Sequence, residues 1–308
     1  MKRVVVDRNG IVSIEEAPVA DSFALGYSNA GRVLAVGDGV AKVQPGDRVA
    51  CAGWGMALHA ERTVVPVNLC NPLPDGVTPR EAALNALGAV CIHAVHRSQT
   101  SWGETVVVLG QGLLGQLCQQ LVRIAGARSV VTAKYPLQAR LAEELGADLV
   151  LDADDENIER KVKNFTRGIG ADRVIISVGG DMSEPFRVAC RIVRDEGTIT
   201  LLGRGRVSFV DADFYAREAT LVSVRALGPG RHDPAYEELG QDYPVGYVRW
   251  TEGRNAEEYL RLVGEGKLKV SPLITHEFPF ERAAEAYETI LRDRANTVAV
   301  LFSYGRDG

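Results

Sequence analysis

The run TVVVLGQGLLG, residues 105–115, constrains the fold of this chain more tightly than any other stretch. Its apolar first half reads as a strand buried on both faces. Gly110, Gly112 and Gly115 follow in the pattern GxGxxG and open an amphipathic helix with Leu113, Leu117, Leu121 and Val122 on one side. In that setting the first glycine permits a sharp turn, the second lets backbone approach a pyrophosphate, and the third lets helix and strand pack closely. The helix N-terminus, with Leu113 and Leu114 in its first turn, adds oriented N–H groups. A ligand-free glycine turn would use the same residues, but the context favours a dinucleotide. Five further apolar runs, at 129–134, 148–153, 172–178, 197–203 and 219–226, alternate with helical stretches such as the one carrying Ile158, Val162 and Phe165. The expected architecture is an α/β doubly wound parallel sheet of six strands.

The end of the second strand bears on which dinucleotide is held. An Asp or Glu there bonds the ribose hydroxyls, whereas a 2′-phosphate repels a carboxylate and favours a cation. Here the strand ends in Lys134, with Arg140 in the next helix, and Arg204 and Arg206 after the fifth strand are expected to add charge to the same sheet edge. NADP(H) is therefore favoured over NAD(H), although an exposed strand-end lysine would look the same.

The flanks of this sheet read differently. KRVVVDR, IVSIEEAP, AGRVLAVG, DRVACAG and ERTVVPV are short strands broken by Gly, Pro and Asn turns, the pattern of a small barrel, and residues 79–98 read as a helix. Beyond Arg254 come a helix, the extended SPLITHEFPF, a second helix and a last strand, TVAVLF. At 308 residues the chain accommodates two cores, and a net charge of −5 with interspersed signs points to neither a nucleic-acid groove nor a polybasic membrane patch. Five scattered cysteines form no CxxC pair and read as reduced, buried thiols. MKRVVVDRNG lacks a signal-peptide core and no apolar run approaches membrane-spanning length, so the expected compartment is the cytoplasm.

In this order the parts resemble the medium-chain dehydrogenase/reductase superfamily of zinc-type alcohol dehydrogenase-like proteins. GYSNAGRVLAVGDGV at 26–40 resembles its GHExxGxVxxVGxxV segment, and KVQPGDRVA its xFxxGDRV. GYSNAGRV, VACAGWGMALHAE, NLCNPLPDGV, YPVGYVRWTEGRN and SPLITH further resemble a branch that includes bacteriochlorophyllide hydroxyethyl dehydrogenases and bi-domain oxidoreductases. The resemblance spans nearly all of residues 26–308. It implies a GroES-like β-barrel domain from both chain ends, 1–87 and 252–308, around a Rossmann domain at 88–251. It also places Ser177, Val178 and Gly179 beside the nicotinamide ribose, adds Gly203 to the cofactor set, and implies a homodimer paired through the sixth strand, ATLVSVRA.

The departures from the pattern are informative. Zinc-dependent members use an early Cys, the His-Glu of GHE, and a further ligand near the start of the Rossmann domain. Here the His and Glu places are Tyr27 and Ser28, the third place falls near Ala86, and Cys91 sits a turn too late. Zinc needs three or four converging ligands, so no catalytic zinc is expected. The spacing from the first hairpin to Gly26 is also short by several tens of residues, which implies a reduced GroES-like domain.

Hydride transfer at a carbonyl needs a proton donor at its oxygen. Tyr27 is one candidate, placed by the resemblance at the lost metal position; a packed barrel tyrosine is its other reading. His59 is the second, as an imidazole able to relay a proton or as a satisfied strand histidine. His93 and His96, three apart, read as helix packing, and His276 as a fixture of the domain return. Arg249, Trp250, Glu252 and Arg254 read either as substrate-holding groups or as a hinge held by an Arg-Glu pair. The expected function is a zinc-independent, NADP(H)-dependent oxidoreductase acting on a carbonyl or secondary alcohol of a sugar, cyclitol or secondary metabolite. A double-bond reductase of enones or quinones, and a non-catalytic NADP(H)-binding sensor or assembly subunit, remain as alternatives.

Overall fold

The computed structural model describes residues 3–7, 25–203, 205–208 and 212–305. The expected strand IVSIEEAP lies outside them. The chain divides into two compact units, one formed by residues 1–89 with 227–308, the other by 90–226.

The first unit opens with β1 (Arg3–Asp7), β2 (Ser28–Val36), β3 (Arg48–Ala52), β4 (Arg62–Pro66) and β5 (Cys70–Pro72), an antiparallel sheet in the order β4-β1-β2-β3-β5. Alternation sends Val33, Val49, Cys51 and Val65 into one core, where Leu69, Cys70 and Tyr236 join them. Tyr236 belongs to the segment 227–251, which was expected with the dinucleotide half; it packs in the first unit instead. Its ring fills the barrel core, while Gly253 N–H donates to its hydroxyl at 3.1 Å and the hydroxyl donates to Thr251 Oγ1 at 3.0 Å.

The helix expected over residues 79–98 is two helices, α1 (Pro79–Ala82) and α2 (Asn85–Arg97). Thr78 starts α1 with a capping box to Glu81 and Pro79 in the first position. The break has a tertiary cause: Ser28 Oγ donates to Ala83 C=O at 2.7 Å and accepts from Ala86 N–H at 3.1 Å, satisfying backbone groups that a continuous helix would pair internally.

The second unit contains the sheet the glycine motif demanded. Its strands are β6 (Thr105–Leu109), β7 (Arg128–Ala133), β8 (Leu149–Asp152), β9 (Ala171–Ile176), β11 (Val193–Leu201) and β13 (Thr220–Ser223), all parallel, in the order β13-β11-β9-β6-β7-β8. The helices α3 (Leu113–Ile124), α4 (Pro136–Glu144), α5 (Ile158–Phe165), α6 (Ser183–Ile192) and the short α7 (Ala212–Ala216) connect them. Every residue of β6 is buried, as a central parallel strand requires. A small parallel pair, β10 (Gly180–Asp181) with β12 (Gly205–Arg206), lies beyond the ends of β9 and β11. The chain then returns to the first unit through α8 (Pro234–Glu237), α9 (Glu252–Gly264), β14 (Ile274–Pro279), α10 (Ala283–Arg292) and β15 (Ala299–Ser303), with β14 and β15 parallel. Tyr259 on α9 donates to Glu81 C=O at 2.7 Å, and a side chain on Gly88 would overlap its ring. Among the described residues no helix is long and apolar enough to cross a membrane.

Candidate active site

In the second unit the strand order reverses between β6 and β9, and the crevice at their C-terminal ends is where such sheets take ligands. Gly110 turns there with φ +97°, and a Cβ on it would lie 2.6 Å from Val178 Cγ1. A Cβ on Gly115 would overlap the Gly110 carbonyl oxygen. Ser177 Oγ donates to the carbonyls of Leu109 and Gly110 at 3.1 and 2.8 Å, pinning the two strand ends together. Gly112 caps α3 without any side-chain acceptor, and the space where its Cβ would sit is open. A helix start with no side-chain cap and with open space beside Gly112 suits a pyrophosphate, so these residues fit a dinucleotide. Gly203, with φ +106°, follows the end of β11, with open space around the Cβ position and only Met182 Cε at 3.9 Å.

Of the cations expected along the second strand's end, Lys134 and Arg140 each lie near a carboxylate. Lys134 Nζ lies 4.0 Å from Asp154 Oδ2, and Arg140 Nε lies 3.7 Å from Glu144 Oε1. Arg206 does not join them. Its strand β12 lies on the β9 and β11 side of the sheet, away from β7, and its guanidinium binds Asp181 at 2.6 Å; hydrogen bonds from Ser183 and then from Arg206 hold that carboxyl far below the usual range. Arg204 lies outside the described residues.

The first unit holds a cavity of about 750 Å³ whose wall includes Tyr27, His59 and Tyr287. Gly26 makes this grouping possible. It has φ +97°, and any Cβ on it would overlap the backbone and ring of His59, whose N–H donates to Leu25 C=O at 2.8 Å. Gly26 and Tyr27, which lead into β2, and the loop bearing His59 therefore run in direct contact. Tyr27 also accepts from Gly53 N–H at 3.0 Å through its carbonyl and stacks on Trp54, ring centroids 6.2 Å apart. From α10, Tyr287 Oη reaches His59 Nδ1 at 3.2 Å, and Phe302 on β15 packs edge-on to the His59 ring at 5.0 Å.

Tyr27 is 39% exposed as a residue, yet its phenol is desolvated enough to be raised above the ordinary 10. Tyr287 is raised by burial and then by the nearby Tyr27 hydroxyl. Both phenols thus stay protonated at neutral pH and can donate. Tyr287 was not anticipated: it sits in an amphipathic helix where a tyrosine reads as packing. The structure does not bring Arg249, Trp250, Glu252 or Arg254 to this cavity. Arg249 lies over the Trp250 ring at 4.1 Å; Glu252 is fully buried; Arg254 donates to the carbonyls of Val248 and Tyr243 at 2.7 and 2.9 Å and pairs with Asp242. The carboxylate that Arg254 pairs with is Asp242, not Glu252.

The zinc implied by the resemblance does not fit these residues. Tyr27 stands at the first ligand place, Ser28 at the second has its hydroxyl committed to Ala83 and Ala86, and Ala86 offers no donor. Among the described residues no group of three His, Cys, Asp or Glu is placed to hold a metal ion.

His93 is 9% exposed, and burial, then Arg97, His96 and Arg225, push its pKa down from 6.5 to about 4. Because the folded value is the lower one, the unfolded chain binds more protons between those limits, and stability falls as pH drops through that window. Between pH 7.5 and 5 the loss attributable to this one histidine is about 2 kcal/mol. Urea unfolding of wild type and His93→Gln at both pH values checks it, the variant showing a shallower dependence.

Comparison with known proteins places both units. The family described as alcohol dehydrogenase GroES-like domain matches residues 4–75, and that described as zinc-binding dehydrogenase matches residues 114–239. L-galactonate-5-dehydrogenase of Escherichia coli is 30% identical over 233 residues, covering 74% of this chain and 60% of that protein. Sorbitol dehydrogenase of Halalkalibacterium halodurans is 25% identical over 305 residues, covering 89% of this chain and 81% of that protein. A mycobacterial structure complexed with NADPH aligns with a TM-score of 0.75 at 25% identity, covering 97% of this chain and 91% of the other. With a doubly wound six-stranded sheet, a GroES-like barrel and family matches in both, the chain belongs to the zinc-type alcohol dehydrogenase-like part of the medium-chain dehydrogenase/reductase superfamily, a superfamily of oxidoreductases.

Proposed function

We propose that this protein is an NADP(H)-dependent oxidoreductase that interconverts a secondary alcohol of a polyol and the corresponding ketone, with Tyr27, His59 and Tyr287 handling the proton in place of zinc. The observation that carries this reading is the hydrogen-bonded Tyr287 phenol and His59 imidazole in the wall of the cavity that Tyr27 also lines. The bound dinucleotide supplies or takes the hydride. Tyr27, a neutral phenol whose pKa desolvation raises further, donates to the oxygen that becomes the alcohol, and the His59–Tyr287 pair returns a proton toward it. The relatives named as sorbitol and L-galactonate dehydrogenases support a polyol substrate.

Lys134 and the NADPH complex of one structural relative support the phosphorylated dinucleotide. An exposed pair such as Lys134–Asp154 contributes little, roughly 0–1 kcal/mol, so a 2′-phosphate can displace the aspartate. Fluorescence titration with NADPH and NADH tests this: wild type binds NADPH more tightly, and Lys134→Ala loses about tenfold for NADPH alone. Equal affinities in wild type would overturn the preference. The exposed edge strand β13, with Leu221 39% exposed, supports a homodimer, which light scattering of the purified protein would measure.

A further inference from the structure

One row across the first unit's sheet is unusually basic. Arg62 on β4 is in register with Asp7 on β1, Asp7 with Arg32 on β2, and Arg32 with Arg48 on β3. Register partners share a face, and like charges directly opposite each other repel. On β2 and β3, Arg32 and Arg48 bring two positive charges directly opposite each other. Arg32 and Arg48 both line the cavity that Tyr27, His59 and Tyr287 line farther along. What the two guanidiniums touch is neutral: Arg32 Nη1 donates to Gly46 C=O at 3.1 Å and Arg48 Nη1 to Val77 C=O at 3.2 Å. The nearby carboxylates are engaged elsewhere, Glu277 with Arg80 at 2.9 Å and Asp47 with the Gln44 N–H at 2.9 Å.

We propose that this arginine row binds an oxyanion carried by the substrate, so that the polyol is phosphorylated or carboxylated and its charged end lies at Arg32 and Arg48. The inference rests on the oxidoreductase reading for the reacting end of the same cavity, but the charged end is separately measurable. An anion between two opposed guanidiniums removes their repulsion and gains charge-assisted, bidentate hydrogen bonds. At about 750 Å³ the cavity is large enough for a small phosphorylated sugar alcohol.

The test is calorimetric titration of the cofactor-free full chain with inorganic phosphate, sorbitol 6-phosphate, gluconate and sorbitol. The phosphate and the carboxylate arms distinguish the two sources of charge. The proposal expects at least one anionic polyol to bind about tenfold or more tightly than sorbitol, with the advantage shrinking as salt rises. Arg32→Gln should remove that advantage and leave sorbitol binding unchanged, while Arg32→Lys, which keeps the charge, should retain part of it. Sorbitol binding as tightly as both anionic polyols would overturn the proposal, as would an Arg32→Gln variant with undiminished anion binding. Because titration needs neither cofactor nor turnover, anion binding without dinucleotide-dependent activity would sink the enzymatic reading and leave this one standing; turnover of neutral polyols without anion binding would do the reverse.

Discussion

Gly115→Ala is expected to cost the second unit about 3 kcal/mol of stability and to abolish tight dinucleotide binding, because the new Cβ would overlap the Gly110 carbonyl oxygen. That neighbour is backbone, held by Ser177 Oγ at 2.8 Å, so it has no rotamer through which to escape. The overlap is relieved only if α3 and the turn after β6 move apart, which withdraws the helix N–H groups from a phosphate. Each charge-assisted hydrogen bond lost there weakens binding by roughly 1.5–3 kcal/mol, one to two orders of magnitude. Gly112→Ala is the informative control. Its φ of −69° is ordinary and nothing lies within 4 Å of the added Cβ, so stability should hold. Its Cβ enters the open space proposed for the pyrophosphate, so binding should still fall. Urea unfolding and NADPH fluorescence titration on both variants separate packing from ligand contact. A Gly112→Ala variant that binds NADPH normally would remove the pyrophosphate from this turn.

The second large effect is expected from Tyr27→Phe, with kcat for ketone reduction falling about 10²- to 10⁴-fold. The phenol is removed but the ring that stacks on Trp54 remains, so unfolding should change little. Dinucleotide affinity should also be unchanged, because the glycine turn belongs to the other unit. Residual activity is assigned to Tyr287, whose hydroxyl lies 3.2 Å from His59 Nδ1, and the double variant with Tyr287→Phe should lose it. The pH dependence has a definite sign. Desolvation raises the Tyr27 pKa, so the protonated donor persists and the alkaline limb of the reduction rate should lie above pH 10. A limb below that value would assign the proton to another group.

The parallel sheet was legible in the sequence because its strands are buried on both faces and read as unbroken apolar runs, with GxGxxG marking the first crossover. Edges were harder. β5 is three residues ending in Pro72, too short to show alternation, and the two-helix break at Ala83 depends on Ser28, 55 residues away. The segment 227–251 carries no strong periodicity, and its place is set by Tyr236 finding the barrel core. Tyr27 stands out through the family resemblance and His59 through its imidazole, but their grouping depends on Gly26 lying against His59, and the third member, Tyr287, comes from 228 positions beyond His59. The arginine row exists only once the register of four strands is known. Charged residues cluster at 249–254, and the sequence does not show that the Arg254 guanidinium, on α9, bonds to the carbonyls of Val248 and Tyr243 in the preceding loop.

In the proposed reaction the cavity residues, not a metal, serve the oxygen at which hydride transfer occurs. The decisive measurement is steady-state turnover of chelator-treated protein with NADPH and NADH against paired polyols and ketoses, charged and neutral, in wild type and Tyr27→Phe. The expected result is dinucleotide-dependent reduction of a ketose by the chelated wild type, unaltered by added zinc and lowered at least about a hundredfold in Tyr27→Phe. Activity that disappears on chelation and returns with zinc, or a Tyr27→Phe enzyme as fast as wild type, would contradict it.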